Sequence, residues 1–185
     1  MILIIIVLVV LVLLVVIVVG LYNGLVKLRN KVENAWAQID VQLKRRYDLI
    51  PNLVETVKGY AAHEKQTLEA VIQARNMAMS AQGPEQQAQA ENMISGALKS
   101  IFALSEAYPD LKANQNFLNL QEELTSTEDR ISYARQFYND TVNRYNTKIQ
   151  TFPTVVLAGM FHFEKREYFE ADETARQNVD VKFDT

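Results

Sequence analysis

The chain has 185 residues, enough for one domain of ordinary size and a short additional element. Its net charge of -3 argues against nucleic acid as the main partner, because domains that bind nucleic acid usually carry a basic excess. The sequence contains no cysteine, which excludes a structural disulfide and a lipid-anchored lipoprotein.

The first 19 residues, MILIIIVLVVLVLLVVIVV, contain no charged and no polar side chain. As a helix, residues 2 to 19 would span roughly 27 Å, close to the ~30 Å thickness of a bilayer's hydrocarbon core. A cleaved signal peptide would need a cationic start, a shorter apolar core and a small-residue cleavage site, and none of these is present. The pattern therefore predicts a transmembrane anchor over residues 1–26.

The charges that follow the anchor predict its orientation. Six cations but only two acids, Glu33 and Asp40, occur between residues 27 and 46. Because lysine and arginine resist translocation, we expect a short amino terminus outside and the rest of the chain in the cytoplasm. The three nearest cations, Lys27, Arg29 and Lys31, are candidates for contact with anionic lipid headgroups, each contributing about 1 kcal/mol. The alternative is that these cations lie on a solvated helix face and only reflect the tendency of lysine and arginine to remain on the cytoplasmic side.

An apolar stripe with helical spacing continues beyond the anchor and predicts a first helix that buries one face. The stripe consists of Leu28, Val32, Ala35, Ile39, Leu43 and Ile50.

The segment LKRRYDLIPNLVE, residues 43–55, is either a functional site or a corner between two helices. Pro51 lacks a backbone donor and disfavours helical geometry at Ile50, so the first helix should end near Leu49. A second helix should begin around Pro51. On this interpretation the charged residues of the segment are solvated positions near a turn: Lys44, Arg45, Arg46 and Asp48.

Three further helices are predicted up to residue 150. The second helix should run from Pro51 to about Ala81, and QGPE at residues 82–85 indicates a glycine stop followed by a proline start. The third should end at YPDL, residues 108–111. In the fourth, an apolar residue falls every seven positions, which is typical of packing against long antiparallel neighbours. The heptad positions are Phe117, Leu124, Ile131, Tyr138 and Tyr145. Residues 27–150 are therefore predicted to form an all-α, antiparallel, up-and-down four-helix bundle.

A carboxy-terminal extension over residues 151–185 differs in character. Its apolar run at residues 152–163 is too short to cross a bilayer, so it folds back on the core, rests at the membrane interface, or forms a subunit contact. A charged, helix-compatible stretch follows. Apolar and polar residues alternate at residues 179–183, which predicts a short strand that would need another chain as its partner. The alternative is a disordered tail.

Residues that could carry out chemistry are scarce. The two histidines, His63 and His162, are about a hundred residues apart, and neither belongs to a zinc-binding pair. No nucleophile motif, phosphate loop or dinucleotide fingerprint is present. We therefore expect no enzymatic activity, no cofactor, no metal and no small-molecule substrate.

Three blocks of sequence, taken together, resemble the LemA family of bacterial membrane proteins. They are residues 22–64, beginning YNGLVKLRNKVENAW, residues 108–146, beginning YPDLKANQNFLNL, and residues 152–171, beginning FPTVVLAGMFHFEKREY. The resemblance covers essentially the whole chain and implies a helical-bundle domain tethered to the inner membrane, with a short external amino terminus. Some relatives are associated with the formation of internal membrane compartments. The resemblance implies no catalytic or binding residue.

Two non-catalytic functional hypotheses follow, and an enzyme with an unrecognised site is a third. The first is a membrane-anchored scaffolding protein that self-associates at the lipid bilayer as a homo-oligomer. The second is an adaptor that presents its bundle to another membrane protein, such as a protease or a stress-response component. The candidate contacts for self-association or for a partner lie in the extension: Phe161, Phe163, Tyr168, Phe169, Val179, Val181 and Phe183.

Overall fold

The computed structural model describes residues 1–170, and this part of the chain is all-helical, without a strand. The helices are α1 (Ile2–Lys58), α2 (Lys65–Ser80), α3 (Gly83–Ser105), α4 (Pro109–Lys112), α5 (Gln115–Gln150) and α6 (Thr154–Met160). The all-α prediction is therefore confirmed for residues 1–170. The predicted strand at residues 179–183 lies outside the described residues.

The chain divides into two compact units, described separately below. Among the described residues, unit 1 comprises Met1–Asp40 and Tyr133–Glu167, and unit 2 comprises Val41–Ser132 and residues 168–170. The helices α1 and α5 each contribute residues to both units. The predicted division into anchor, bundle and extension at residues 26 and 150 stays a prediction.

The amino-terminal part of α1 is an apolar helix that no other segment of residues 1–170 covers. Every residue from 1 to 20 is exposed, and an 18-residue window of this helix reaches a mean hydropathy of 4.2. Among the described residues, α1 is the one helix long and apolar enough to cross a membrane. Such a surface is costly in water and favourable in a lipid core, which agrees with the predicted anchor.

The predicted break at Pro51 is wrong, because α1 continues through this residue to Lys58. Proline has no N–H to donate, so the carbonyl oxygen of Tyr47, four residues earlier, loses its helical hydrogen bond. The Nε of Arg75, from α2, donates a hydrogen bond to that oxygen at 2.8 Å. A side chain from a neighbouring helix thus replaces the missing backbone donor.

The corner predicted at Pro51 instead lies at residues 59–64, between α1 and α2. As a result α2 is shorter than predicted, running from Lys65 to Ser80. At QGPE the proline start is confirmed, but α2 already ends at Ser80, and Gly83 is the first residue of α3 rather than the stop of α2. Gly83 has a φ of 79°, a conformation that glycine adopts without strain, and Pro84 occupies the first turn of α3.

The core of unit 2 is built mainly from α1, α2, α3 and α5, with Leu111 of α4, and α5 contributes the heptad positions Phe117 and Leu124. It combines Ile50 and Leu53 of α1 with Val71 of α2, Ile94 of α3 and Phe117 of α5, all at most 1 % exposed. Within this unit α1 and α5 run in opposite directions, since Arg45 pairs with Glu123 whereas Tyr60 pairs with Asn114. All five predicted heptad residues of α5 are buried.

In unit 1, ring contacts hold α1 against α5 and against the chain that follows α6. Trp36 packs edge-on against Tyr138, with ring centroids 5.3 Å apart. Nearer the start of the chain, Tyr22 packs edge-on against Phe161 at 4.9 Å. These contacts fix α6 beside the part of α1 that directly follows the apolar segment.

Candidate functional site

A buried polar cluster lies in unit 2, where α1, α3 and α5 meet. It consists of Arg46, Tyr47, Gln87, Glu91 and Ser95, with Glu128, whose side chain is 48% exposed, at its edge. Sequence analysis predicted Arg46 to be a solvated residue near a turn, and the structure shows that this is wrong. Its side chain is 2 % exposed and occupies a core position of α1 between Leu43 and Ile50.

The guanidinium of Arg46 is satisfied by partners from two other helices. Its Nη1 donates to Glu91 Oε2 at 3.0 Å, and its Nη2 donates to Ser95 Oγ at 2.8 Å. The same Nη2 lies 2.8 Å from Glu128 Oε2 on α5. Because a buried guanidinium is costly unless its donors are paired, these contacts determine which faces of α3 and α5 can pack against α1.

The carboxylate of Glu91 is held from its other side by neutral donors. Its Oε1 accepts hydrogen bonds from the Tyr47 hydroxyl and from Gln87 Nε2, the latter at 3.1 Å. Gln87 Nε2 also lies 3.2 Å from the carbonyl oxygen of Ala78 at the end of α2. The cluster therefore connects α1, α2, α3 and α5.

Burial dominates the protonation behaviour of this cluster. Burial raises the pKa of Glu91, although hydrogen bonds from Tyr47 and the positive charge of Arg46 oppose the increase. Burial, together with the hydrogen bond to Glu91, raises the pKa of Tyr47 far above its usual range. Tyr47 therefore remains a neutral hydrogen-bond donor at physiological pH.

The geometry of the cluster suits it to fixing helices in register rather than to binding a reactant. A partly open cavity of about 160 Å³ adjoins Arg46 and Glu128 and is lined elsewhere by mainly apolar groups, including Leu98, Phe102 and Leu124. The Arg46 donors that border this cavity already have protein acceptors. Within residues 1–170, no group of three or more His, Asp or Glu side chains is arranged to hold a metal ion.

A second candidate site, the anchor-proximal aromatic cluster, lies in unit 1 and consists of Tyr22, Arg29, Phe161 and Phe163. The Tyr22 ring lies 4.9 Å from Phe161 and 5.8 Å from Phe163 between centroids, both edge-on. The Arg29 guanidinium stacks over the Phe163 ring at 5.5 Å, within the range of a cation–π interaction. Residues that sequence analysis assigned to two different sites are thus brought together.

Polar contacts attach the segment after α6 to α5 within unit 1. Asn146 donates to the Arg166 carbonyl oxygen and accepts from the Arg166 backbone N–H, both at 2.9 Å. The Tyr138 hydroxyl donates to the Glu167 carbonyl oxygen at 2.9 Å, and burial raises the pKa of Tyr138 to about 12. These bonds hold α6 and its flanking chain in one position.

The predicted contact residues differ in their exposure. Lys27 and Lys31 are exposed. Arg29 is half-buried, with its guanidinium over the Phe163 ring. Phe161 is 49 % exposed, but Phe163 and Phe169 are 8 % and 1 % exposed, so their rings pack inside the chain. Tyr168 is half-buried. The remaining three predicted contacts, Val179, Val181 and Phe183, lie outside the described residues.

Sequence reasoning missed the buried polar cluster, although the spacing contained a signal for it. Arg46 falls three residues after Leu43 and four before Ile50, which is the register of the buried stripe. In α3, Glu91 falls three residues before Ile94 and seven before Leu98 in the same way. Two opposite charges, each in the apolar register of its own helix, indicate a buried pair.

Comparisons with known proteins identify relatives of this chain. The sequence model of the LemA family matches residues 35–183. A protein named LemA from Metamycoplasma hominis is 31% identical over 167 residues, which cover 88% of this chain and 75% of that protein. Magnetosome protein MamQ 2 from Paramagnetospirillum magneticum is 25% identical, over 80% of this chain and 64% of that protein. MamQ from Magnetospirillum gryphiswaldense is equally similar, also at 25%.

Proposed function

Because this chain belongs to the LemA family, we propose that it is a membrane-anchored scaffolding protein that self-associates at the bilayer and has no catalytic activity of its own. One observation carries the proposal. Residues 1–20 of α1 are all exposed and uncharged, and the same helix continues without a break into the cores of the folded units. An apolar helix of this length without a protein partner is suited to a lipid environment.

The proposal includes a topology and an architecture. The bacterial inner membrane would hold α1, with the amino terminus outside and the helical units in the cytoplasm, as the cations that follow the span favour. The helices would form an up-and-down bundle, which the opposite directions of α1 and α5 within unit 2 support. The relatives named as magnetosome proteins fit a structural role on a membrane.

The contact surface that we propose for self-association is an aromatic pair on α5 within unit 1. Tyr133 and Phe137 are one helical turn apart, and they are 74% and 47% exposed. Exposed aromatic side chains are typical of protein interfaces, where tyrosine is among the most frequent hot-spot residues. Since anchoring confines the copies to two dimensions, a weak contact of this kind is strengthened by the raised effective concentration.

Self-association can be tested with the full chain in lipid vesicles. Two populations labelled with donor and acceptor fluorophores should show energy transfer that exceeds random proximity at the same protein-to-lipid ratio. Replacing Tyr133 and Phe137 together by alanine should weaken the association roughly 10- to 100-fold, because two hot-spot side chains are lost.

A matched control replaces Met77 and Met79, which are 50% and 58% exposed on α2, by alanine and should leave the transfer unchanged. Energy transfer at the random level for the unmodified chain would contradict self-association. An unchanged signal in the double aromatic variant would contradict the contact surface.

The alternative is an adaptor that binds another membrane protein, and one observation favours it. In unit 2, α2 and α3 expose flexible apolar side chains: Ile72 (41%), Met77 (50%), Met79 (58%) and Met93 (48%). Exposed methionines are typical of surfaces that accept more than one partner. Crosslinking in cells with the unmodified chain and with Met77→Ser/Met79→Ser tests this role. Recovery of only the chain itself would contradict it.

The absence of catalysis is part of the same proposal. Both histidines, His63 and His162, are exposed. Their individual replacement by glutamine should leave any cellular phenotype of the gene intact. A phenotype lost in either variant, with unchanged expression and helicity, would favour an enzyme instead.

A further inference from the structure

The outer face of α6 is apolar and remains largely exposed in the part of the chain that the structure describes. We define this α6 outer face as Phe152, Val155, Val156, Met160 and Phe161, which are between 41% and 84% exposed. The opposite side of the same helix, with Thr154, Leu157 and Ala158, is buried. Packing inside the chain therefore accounts for only one of the two apolar sides of α6.

The sequence around α6 is unusual for a helix that faces water. No charged residue occurs between Lys148 and Glu164, although charged residues make up 22% of the whole chain. A helix that is apolar on all sides is normally buried or in contact with a membrane. Because α6 has 7 residues, it is much too short to span a bilayer, which needs about 20. A segment of this kind can lie in the plane of the interface.

The contact made by Phe161 brings the end of α6 close to the part of α1 that directly follows the apolar segment. Phe161, at the end of α6, packs against Tyr22. Tyr22 lies only three residues after Val19, with which the opening 19-residue stretch without polar or charged side chains ends. At 1.5 Å per residue, this separation is about 5 Å along the helix axis. Tyr22, Phe161 and Phe163 thus form an aromatic group where the chain would leave the hydrocarbon core, a depth at which aromatic side chains are enriched.

The charges beside this group are complementary to lipid headgroups. Arg29 lies over Phe163, and Lys27 and Lys31 are exposed on the same stretch of α1. Cations within a few residues of a span lie near anionic headgroups on the cytoplasmic side. Apolar side chains bordered by aromatic rings and by cations match the order of layers from the hydrocarbon core to the headgroups.

We propose that the α6 outer face lies in the lipid interface of the membrane that holds α1, so that the chain contacts the bilayer at two places. This inference rests on the membrane anchor of the proposed function but not on self-association. It assigns Phe161, predicted from the sequence to contact a second copy, to lipid instead. Two attachment points would restrict the tilt of unit 1 at the membrane surface.

The test uses the full chain at one copy per lipid nanodisc, where no second copy can cover α6. Because the sequence contains no cysteine, single cysteines can be introduced and labelled with a fluorophore without altering native thiols. Val156→Cys reports on the α6 outer face, and Val10→Cys reports on the anchor. The matched control is Gln136→Cys, an exposed position of α5 in unit 1. Gln136 lies near Tyr138, which packs against Trp36. Because Trp36 is fourteen residues beyond Tyr22 on α1, this control position is farther from the anchor than the α6 outer face.

Two quenchers then distinguish lipid from water at each label. We expect a nitroxide attached to lipid to remove most of the emission at Val156 and Val10 and little at Gln136. Aqueous iodide should do the reverse. Circular dichroism of each labelled chain, matching that of the unmodified chain, verifies that the helices are intact.

The outcomes separate this inference from the proposed function. A Val156 label that iodide quenches, beside a Val10 label that lipid quenches, would overturn the interfacial position of α6 and leave the anchor intact. A Val156 label protected from iodide only in discs with two copies would assign the face to a second copy, which also overturns the inference. If Val10 is not quenched from the lipid, the anchor and the inference both fail.

Discussion

At the scale of single residues, the structure depends most on a charge in the core. Arg46 is 2 % exposed, and its counter-ions come from α3 and α5. A buried ion pair adds little net stability over apolar side chains of similar volume, yet removing one member leaves the other charge unpaired. The pair is therefore better understood as a device that selects the register of the helices than as a source of stability.

We expect Arg46→Met to lower the free energy of unfolding by about 3–5 kcal/mol at neutral pH, because it leaves the Glu91 carboxylate buried without a cation. Arg46→Met/Glu91→Gln should recover part of this loss, since no buried charge then remains at position 91. Thermal or denaturant unfolding in detergent, followed by circular dichroism, measures both. Equal losses in the single and double variants would contradict a buried ionised carboxylate.

The same variant should change how stability depends on pH. Burial raises the pKa of Glu91 in the folded state, so the folded chain binds this proton more tightly than the unfolded chain. Stability from this group is therefore fully present below its unfolded pKa and is lost as the pH rises through the folded pKa. Without the opposing charge of Arg46 the folded pKa rises further. The defect of Arg46→Met should then decrease on acidification, whereas Arg46→Met/Glu91→Gln should lack this dependence.

At the scale of elements, the continuity of α1 depends on a contact made outside the helix. Pro51 should break a helix, and the sequence prediction of a corner there followed from this rule. The prediction was wrong because the carbonyl oxygen of Tyr47 finds its donor on α2, in the side chain of Arg75. A donor that is distant in sequence cannot be deduced from the proline and its neighbours.

Replacing the two residues separately and together tests this explanation. Arg75→Met should cost about 1–3 kcal/mol, because it leaves the part-buried Tyr47 carbonyl oxygen without a partner. In a Pro51→Ala background the same change should cost clearly less, since the N–H of residue 51 can then donate to that oxygen. Unfolding of the unmodified chain, the two single variants and the double variant in one detergent gives the coupling energy between positions 51 and 75. Additive effects would mean that Arg75 does not replace the missing donor.

The elements that were predicted correctly have strong local patterns. The heptad of α5 has five positions, all buried, and the turn at Gly83 is fixed by a glycine at positive φ and a proline that follows it. Such features depend on residues close together in the sequence. The end of α1 depends instead on a contact with α2. For this reason the sequence predicted an end near Leu49, whereas the helix ends at Lys58.

At the scale of the whole molecule, the proposed function makes a prediction about topology. With α1 in the inner membrane, the excess of cations after the span should hold the folded units in the cytoplasm. A membrane-impermeant thiol reagent should therefore label Ile2→Cys in cells whose outer layers have been opened. It should label Asp140→Cys, an exposed position in unit 1, only after the inner membrane has been disrupted. The reverse pattern would contradict the orientation.

The sequence by itself determined the long apolar segment at its start, the all-helical class of residues 1–170, the family and the positions of most buried stripe residues. These depend on composition and on short-range periodicity, which a chain displays before it folds. Only the tertiary structure decided that Arg46 is buried and that α1 passes through Pro51. It also decided that Phe161 lies against Tyr22 while Phe163 and Phe169 pack inside. Each of these facts depends on a partner from a distant part of the chain, because a buried charge or an unpaired carbonyl is tolerated only where packing supplies its complement.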